Sequence, residues 1–347
     1  MDQPLPPSNK PTPQSVDFEH ARGTGFWMIG LTGVVLLSLV IALRSIPDTQ
    51  KSVIDILNRI SITWIILSTL SMSFAFVCMA ARWRSMMPSP HHPPLGELTG
   101  LICAGLLLNY AAPGPVGEVG AAWFAHKRYK LRLEDSLASG VSARLIGLMT
   151  TSILGFGIWL LFPLPITSEL ESLITLAAIL IGIGGATIAL IAAFPDWWEP
   201  RLLSLIKWFP IKKWSQKLQS AVQKVTAALV RVLKHHPSRY GWAVFWSLGA
   251  HTSVTIGIIF AALALGCDYN LAGLAFTYTI TTASAVLLFA FPGSYLGWDA
   301  LFFGLLVSTA GIPTADAAAI ALIVRLQQIM YMSLGGISLS WLAKKTQ

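Results

Sequence analysis

Four charged residues inside apolar sequence have the types and the spacing to handle an anionic group. Glu118 precedes Arg144, and Asp299 precedes Arg325, by the same interval, since 144 − 118 and 325 − 299 both equal 26. A guanidinium offers a planar fork of donors that fits a carboxylate or a phosphate equally well. An arginine deep in an apolar segment is costly unless it is paired or hydrated, so it faces the protein interior. Two chemistries follow. Arg144–Glu118 and Arg325–Asp299 are static ion pairs that hold the fold, or they line a polar cavity where each guanidinium alternates between its carboxylate and a substrate phosphate.

Each acid follows a turn. Pro113, Gly114, Pro115 and Gly117 form a bend that exposes backbone amides, and Glu118 falls in the first turn of the next helical piece. There the helix dipole stabilises its ionised form. Asn109 and Tyr110 are placed to satisfy carbonyls of the bend. Pro292, Gly293 and Gly297 bend the second segment, with Tyr295, Trp298 and Asp299 as its polar or amphipathic members. The short helices that start after both turns are candidate phosphate holders.

Gln327 and Gln328 are further cavity candidates, because a buried amide demands partners. His251 reads as a helix–helix hydrogen bond, and the hydroxyl-rich run 277–284 as cross-links between helices. The pairs His91/His92 and His235/His236 lack a third ligand or a zinc-protease spacing, so no metal site is expected. Cys78, Cys103 and Cys267 read as packing residues. No nucleotide loop, dinucleotide fingerprint or nucleophile elbow is present, so no cofactor and no ATP-driven step is expected of this chain.

These side chains must be positioned by membrane helices. Of the 347 residues 54% are hydrophobic and only 12% are charged, about half the roughly 25% of a soluble domain. The net charge of +8 would suggest nucleic acid in a soluble protein; here cytoplasmic loops against anionic lipid account for it. Apolar stretches 26–43, 60–81, 136–162, 173–194, 240–265 and 315–342 are read as six spanning helices. Segments 98–125 and 272–310 are broken by their Pro-Gly turns and read as re-entrant hairpins.

The expected fold is therefore an all-α polytopic membrane protein of six spans plus two re-entrant helical hairpins in an inverted-topology repeat. Its units are 26–162 and 163–342, after a disordered cytoplasmic tail over 1–25. A shift of 181 overlays Glu118 on Asp299, Asp135 on Asp316 and Arg144 on Arg325. Inverted repeats with broken helices and a midplane site are a recurrent transporter plan. Placing both termini in the cytoplasm puts Arg82, Arg84 and the patch Lys127, Arg128, Lys130 and Arg132 inside. It also puts inside the basic insert 195–239, read as two amphipathic helices lying on the inner leaflet. Loop 44–59, with Arg44, Lys51 and Arg59, fits an outside position poorly.

With N109-Y-A-A-P-G-P-V-G-E118, the Arg144 helix, and P292-G-S-Y-L-G-W-D-A300 followed by Arg325, the chain resembles the lysylphosphatidylglycerol synthase transmembrane-region family of flippase-like proteins. The resemblance implies a polytopic protein of a bacterial or archaeal cytoplasmic membrane. The resemblance also implies kinship with the part of multiple peptide resistance factors that moves aminoacylated lipid between leaflets. The family's second motif resembles Pro-Gly-Gly-x-Gly-x-Arg-Glu-Ala, whereas Trp298 and Asp299 stand at its arginine and glutamate, which implies a different pocket charge or headgroup. No aminoacyl-transferase segment follows the last span, so lipid synthesis from aminoacyl-tRNA is not expected.

The function expected is a lipid translocase or lipid-binding transporter for an amphiphile with an anionic or zwitterionic headgroup. A phospholipid, a glycolipid or an isoprenoid phosphate would be its partner, and no nucleic acid. Two other classes stay open: an intramembrane enzyme acting on an isoprenoid or phospholipid, with Glu118 or Asp299 as acid/base, and a non-transporting accessory protein beside a lipid-biosynthetic partner.

Overall fold

The structure, a computed structural model, describes residues 55–56, 58–87, 93–111, 116–166, 168–207, 219–220, 223, 227, 237–288 and 294–344. The elements described are helices: α1 (Ile62–Met86), α2 (Leu95–Ala111), α3 (Val116–Tyr129), α4 (Leu133–Leu161), α5 (Ser168–Ala193), α6 (Pro195–Lys207), α7 (Pro237–Leu265), α8 (Leu271–Leu288), α9 (Ser294–Ser308) and α10 (Thr314–Lys344). Among the described residues four helices are long and apolar enough to cross a membrane: Ile62–Met86, Leu133–Leu161, Ser238–Leu265 and Thr314–Trp341. They correspond to four of the six expected spans. Stretch 26–43 lies outside the described residues, and 173–194 falls in α5, whose described apolar part is the shorter Ile174–Gly184. Among the described residues four clear spans thus stand beside the six expected of the whole chain.

Small residues decide how closely these helices approach. α1 and α7 lie against each other, with the Ser68 hydroxyl donating to the Gly257 carbonyl at 2.7 Å and the Ser71 hydroxyl to the Ser253 carbonyl at 2.8 Å. A Cβ at Gly257 would meet the Met72 side chain and the Ser68 carbonyl oxygen. Without a hydrophobic force between helices in lipid, such close packing and short hydrogen bonds are what hold them. Outward, α1 presents Ile62, Ile66, Leu70 and Phe74 at successive helical turns, an apolar stripe suited to lipid.

Two short helix pairs share one local design. In α2–α3, a Cβ on Gly117 would fall onto the Gly105 carbonyl oxygen; in α8–α9, one on Gly273 would fall onto that of Thr309. Asn270 closes the base of the second pair, its amide donating to the Ala310 carbonyl and its side-chain oxygen accepting the Gly273 amide, both at 2.8 Å. α2 also lies against α10, where a Cβ at Gly335 would run into the backbone of Cys103.

Register gives the long helices a further likeness. Arg144 and Arg325 each fall 11 positions past the first residue of their helix (144 − 133 and 325 − 314), about 16 Å along the axis. Asp135 and Asp316 each lie in the first turn of the same helices.

Two charges sit differently from the loop-charge argument. Arg59 pairs with Asp316 and donates to the Leu265 carbonyl at 3.1 Å, so its positive charge is matched where it stands. Arg82 is not a loop base. α1 continues to Met86, and its side chains lean toward the helix N-terminus, which carries the Arg82 guanidinium into the bundle.

Of the insert 195–239, α6 (Pro195–Lys207) is described, with the Arg201 guanidinium 3.7 Å from the Trp197 ring centroid. The second expected amphipathic helix falls largely outside the described residues. At the end of α3, Glu97 takes the Tyr129 hydroxyl at 2.6 Å and pairs with Arg128 at 3.4 Å. Burial and the adjacent Glu97 carboxylate push the Tyr129 phenol above its ordinary pKa.

Candidate functional site

A cavity of about 390 Å³ opens between α1, α2, α3, α4, α7, α8, α9 and α10. Its wall is mainly apolar, from Met72, Phe76, Ile102, Leu106, Val254 and Ile258, with a few convergent polar groups. That composition is typical of ligand sites. Asn109, Tyr110, Gly117, Glu118, Arg144 and Gln328, all singled out from sequence, line it.

The first pair, Arg144 with Glu118, forms directly across α4 and α3. Asn109 steadies it from α2, donating through Nδ2 to Glu118 at 3.3 Å while its side-chain oxygen accepts the Gly117 amide at 2.7 Å. The Gly117 amide is thus taken, contrary to the expectation that the bend exposes it, while the turn carbonyls expected to be served by Asn109 lie outside the described residues. A side-chain carboxamide within reach of a helix start takes such a donor first. Gly117 lies inside α3 and Gly297 inside α9, so neither forms part of a bend between helices. Gly117 serves instead as the point of closest approach to α2.

The second pair, Arg325 with Asp299, lies behind the wall rather than on it. Arg325 reaches the Tyr110 hydroxyl and donates to Gln328 Oε1 at 2.7 Å, and Tyr110 donates to the same Gln328 oxygen at 3.0 Å. Its guanidinium carbon lies 5.4 Å from the Tyr110 ring centroid and 5.8 Å from that of Trp298. Trp298 therefore covers this cation with an aromatic face, as cation–π attraction favours. The two pairs differ in access: the Arg144 side chain is 33% exposed and that of Arg325 10%.

Other expected residues fall elsewhere. Tyr295 belongs to the first turn of α9, while Pro113, Gly114, Pro115, Pro292 and Gly293 lie outside the described residues. Gln327 is no cavity residue; its amide donates to Ser68 and Thr69 at 3.0 Å each, tying α10 to α1. The hydroxyl run divides. Thr277 bonds Thr309 at 2.9 Å and links α8 to α9, whereas Tyr278 and Thr282 face the cavity.

His251 bridges helices and also lines the cavity. A carbonyl only accepts, so Nε2 donates to the Gly147 carbonyl at 3.0 Å, and Nδ1 of the neutral ring accepts the Tyr278 hydroxyl at 2.9 Å. Arg82 is a wall residue that the sequence does not mark as one, because Arg82-Trp83-Arg84 ends an apolar run and reads as its basic flank. The signal present in the sequence is its place within one helical turn of that run. Among the described residues no three His, Cys, Asp or Glu side chains are grouped to hold a metal.

The chain finds no match among curated proteins and none among solved structures. A family model, the lysylphosphatidylglycerol synthase TM region, matches residues 27–336 and so takes in every wall residue named above. This is a multi-pass, all-α membrane protein that belongs to the lysylphosphatidylglycerol synthase TM-region family.

Proposed function

We propose that the chain moves an amphiphile with an anionic or zwitterionic headgroup between leaflets, the headgroup passing through the cavity while the tails stay in lipid. Family membership supports a general lipid-handling membrane function. The observation that carries the finer reading is the Arg144–Glu118 pair, set in a mainly apolar wall with a third of the arginine side chain open. Glu118 holds the guanidinium while the cavity is empty, and an incoming headgroup exchanges for it at small net cost, because one anion replaces another. Arg325, enclosed by Tyr110, Asp299, Trp298 and Gln328, keeps the two helix pairs in register behind the wall.

The proposal includes the wider plan: six spans, hairpins 98–125 and 272–310 entering from opposite faces, and both termini in the cytoplasm of a bacterial or archaeal cell. The driving force is downhill lipid flux or an ion gradient. Reconstitution into liposomes with fluorescent phospholipids, glycolipids and polyprenyl phosphates tests it. Leaflet exchange that depends on the protein is expected. New lipid species by mass spectrometry would indicate an enzyme instead, and neither exchange nor product would leave an accessory role.

A further inference from the structure

The charge balance of the wall is uneven. Its residues of fixed charge are Arg82, Arg144 and Glu118, and Glu118 is engaged by Arg144. Among the described residues Arg82 therefore stands in the cavity without a carboxylate. Its Nη1 donates to the Ser247 hydroxyl at 3.1 Å, and its buried Nε has no hydrogen-bond partner. Among the described residues the ionisable groups that interact electrostatically with it are Tyr278, Arg144, Cys78 and His251, none of them an acid that could neutralise it at neutral pH.

Its surroundings are built to hold it there. A Cβ on Gly147 of α4 would fall inside the guanidinium, so a larger residue there would push the guanidinium from its place. The Gly147 carbonyl accepts from His251 Nε2 rather than from the arginine. Gly147 lies roughly 21 Å along α4 and Ser247 roughly 15 Å along α7 from the helix starts, so the guanidinium is far from either end of both helices. An uncompensated cation with an open donor at such depth is costly unless an anion joins it.

We infer that Arg82 is the seat of the substrate's phosphate group, a site separate from the two carboxylate-paired arginines. The inference rests on the lipid-handling function proposed above and adds the group by which the lipid is held. Arg82 offers a guanidinium that no described carboxylate neutralises, Arg144 adds positive charge to the same wall, and the apolar wall receives the first carbons of the lipid. A phosphodiester of a glycerophospholipid and a phosphomonoester of a polyprenyl phosphate present the same chemistry to this seat.

The test uses full-length purified protein and follows tryptophan fluorescence, since Trp83 and Trp298 line the cavity. The probes are short-chain phosphatidylglycerol, a short polyprenyl phosphate and inorganic phosphate, with diacylglycerol and the free prenol as uncharged counterparts. The phosphate-bearing lipids should bind at least about tenfold more tightly than their counterparts, the scale of a charge-assisted hydrogen bond. Arg82→Gln should erase that difference, and Arg82→Lys should restore part of it. The lipid that binds more tightly identifies the source of the phosphate.

Headgroup discrimination that survives in Arg82→Gln overturns the inference, as does tighter binding of inorganic phosphate than of either lipid. If Arg82→Gln fails to fold, Gly147→Ala keeps the charge but displaces the guanidinium; the same loss is expected, and retained discrimination overturns the inference. Leaflet exchange in the same preparations separates the two proposals. Exchange that persists with discrimination intact in the variant removes the seat and leaves translocation. Arg82-dependent binding without exchange supports the seat and removes translocation.

Discussion

Arg325 in α10 holds the phenol of Tyr110 in α2 and the carboxylate of Asp299 in α9 with the same guanidinium. One side chain thus joins the two broken helix pairs, and Gln328 one turn later accepts from both Arg325 and Tyr110. Arg144, by contrast, pairs with Glu118 of the first helix pair and is the more exposed of the two arginines.

The two arginines should therefore fail differently. Arg325→Gln removes the buried guanidinium that Tyr110, Gln328 and Asp299 share, a loss on the order of 3–5 kcal/mol. Thermal melting of the purified variant should show a collapse that accompanies the loss of transport. Arg144→Gln, in the more open position, should abolish leaflet exchange while most of the melting temperature remains. Equal collapse in both variants would make both pairs scaffolding.

Tyr110→Phe removes the hydroxyl shared by Arg325 and Gln328 and keeps the ring. The expected destabilisation is about 1–3 kcal/mol, the cost of leaving buried partners unsatisfied. Denaturation in mild detergent measures it, and a neutral result would mean that the aromatic face alone holds Arg325.

The hairpin contacts depend on absent side chains. Gly117→Ala and Gly273→Ala each place a Cβ on a facing backbone oxygen, that of Gly105 or Thr309, which cannot swing aside. Each should lose about 1–3 kcal/mol by overpacking. Gly157→Ala is the control, since nothing lies within 4 Å of a Cβ there, and it should melt like the parent protein.

Topology is open to cysteine labelling from either side of the membrane. Cysteines at Arg84 and Lys127 should react from one face, and a cysteine at Asp268 from the other. Labelling of Arg84 and Lys127 from opposite faces would remove the re-entrant reading of 98–125.

Membrane insertion, helical class and the two acid–arginine intervals follow from sequence alone. Apolar length and the scarcity of charge determine the first two. The Glu118–Arg144 and Asp299–Arg325 partners could be named because an arginine in apolar sequence must find an acid, and each has one 26 positions away. What packing decided was which charges are compensated. Arg82 and Arg59 look alike as basic residues beside apolar runs, yet Asp316 neutralises Arg59 from 257 positions away while Arg82 meets Ser247 from 165 away. The same holds for Gln327 and Gln328, adjacent in sequence, where helical rotation turns one toward α1 and the other into the cavity. Local pattern fixes a residue's helix and depth. Its partner is set by which helices lie beside that face, and that depends on small residues such as Gly147 and Gly117, whose role is visible only once a neighbour occupies the space they leave.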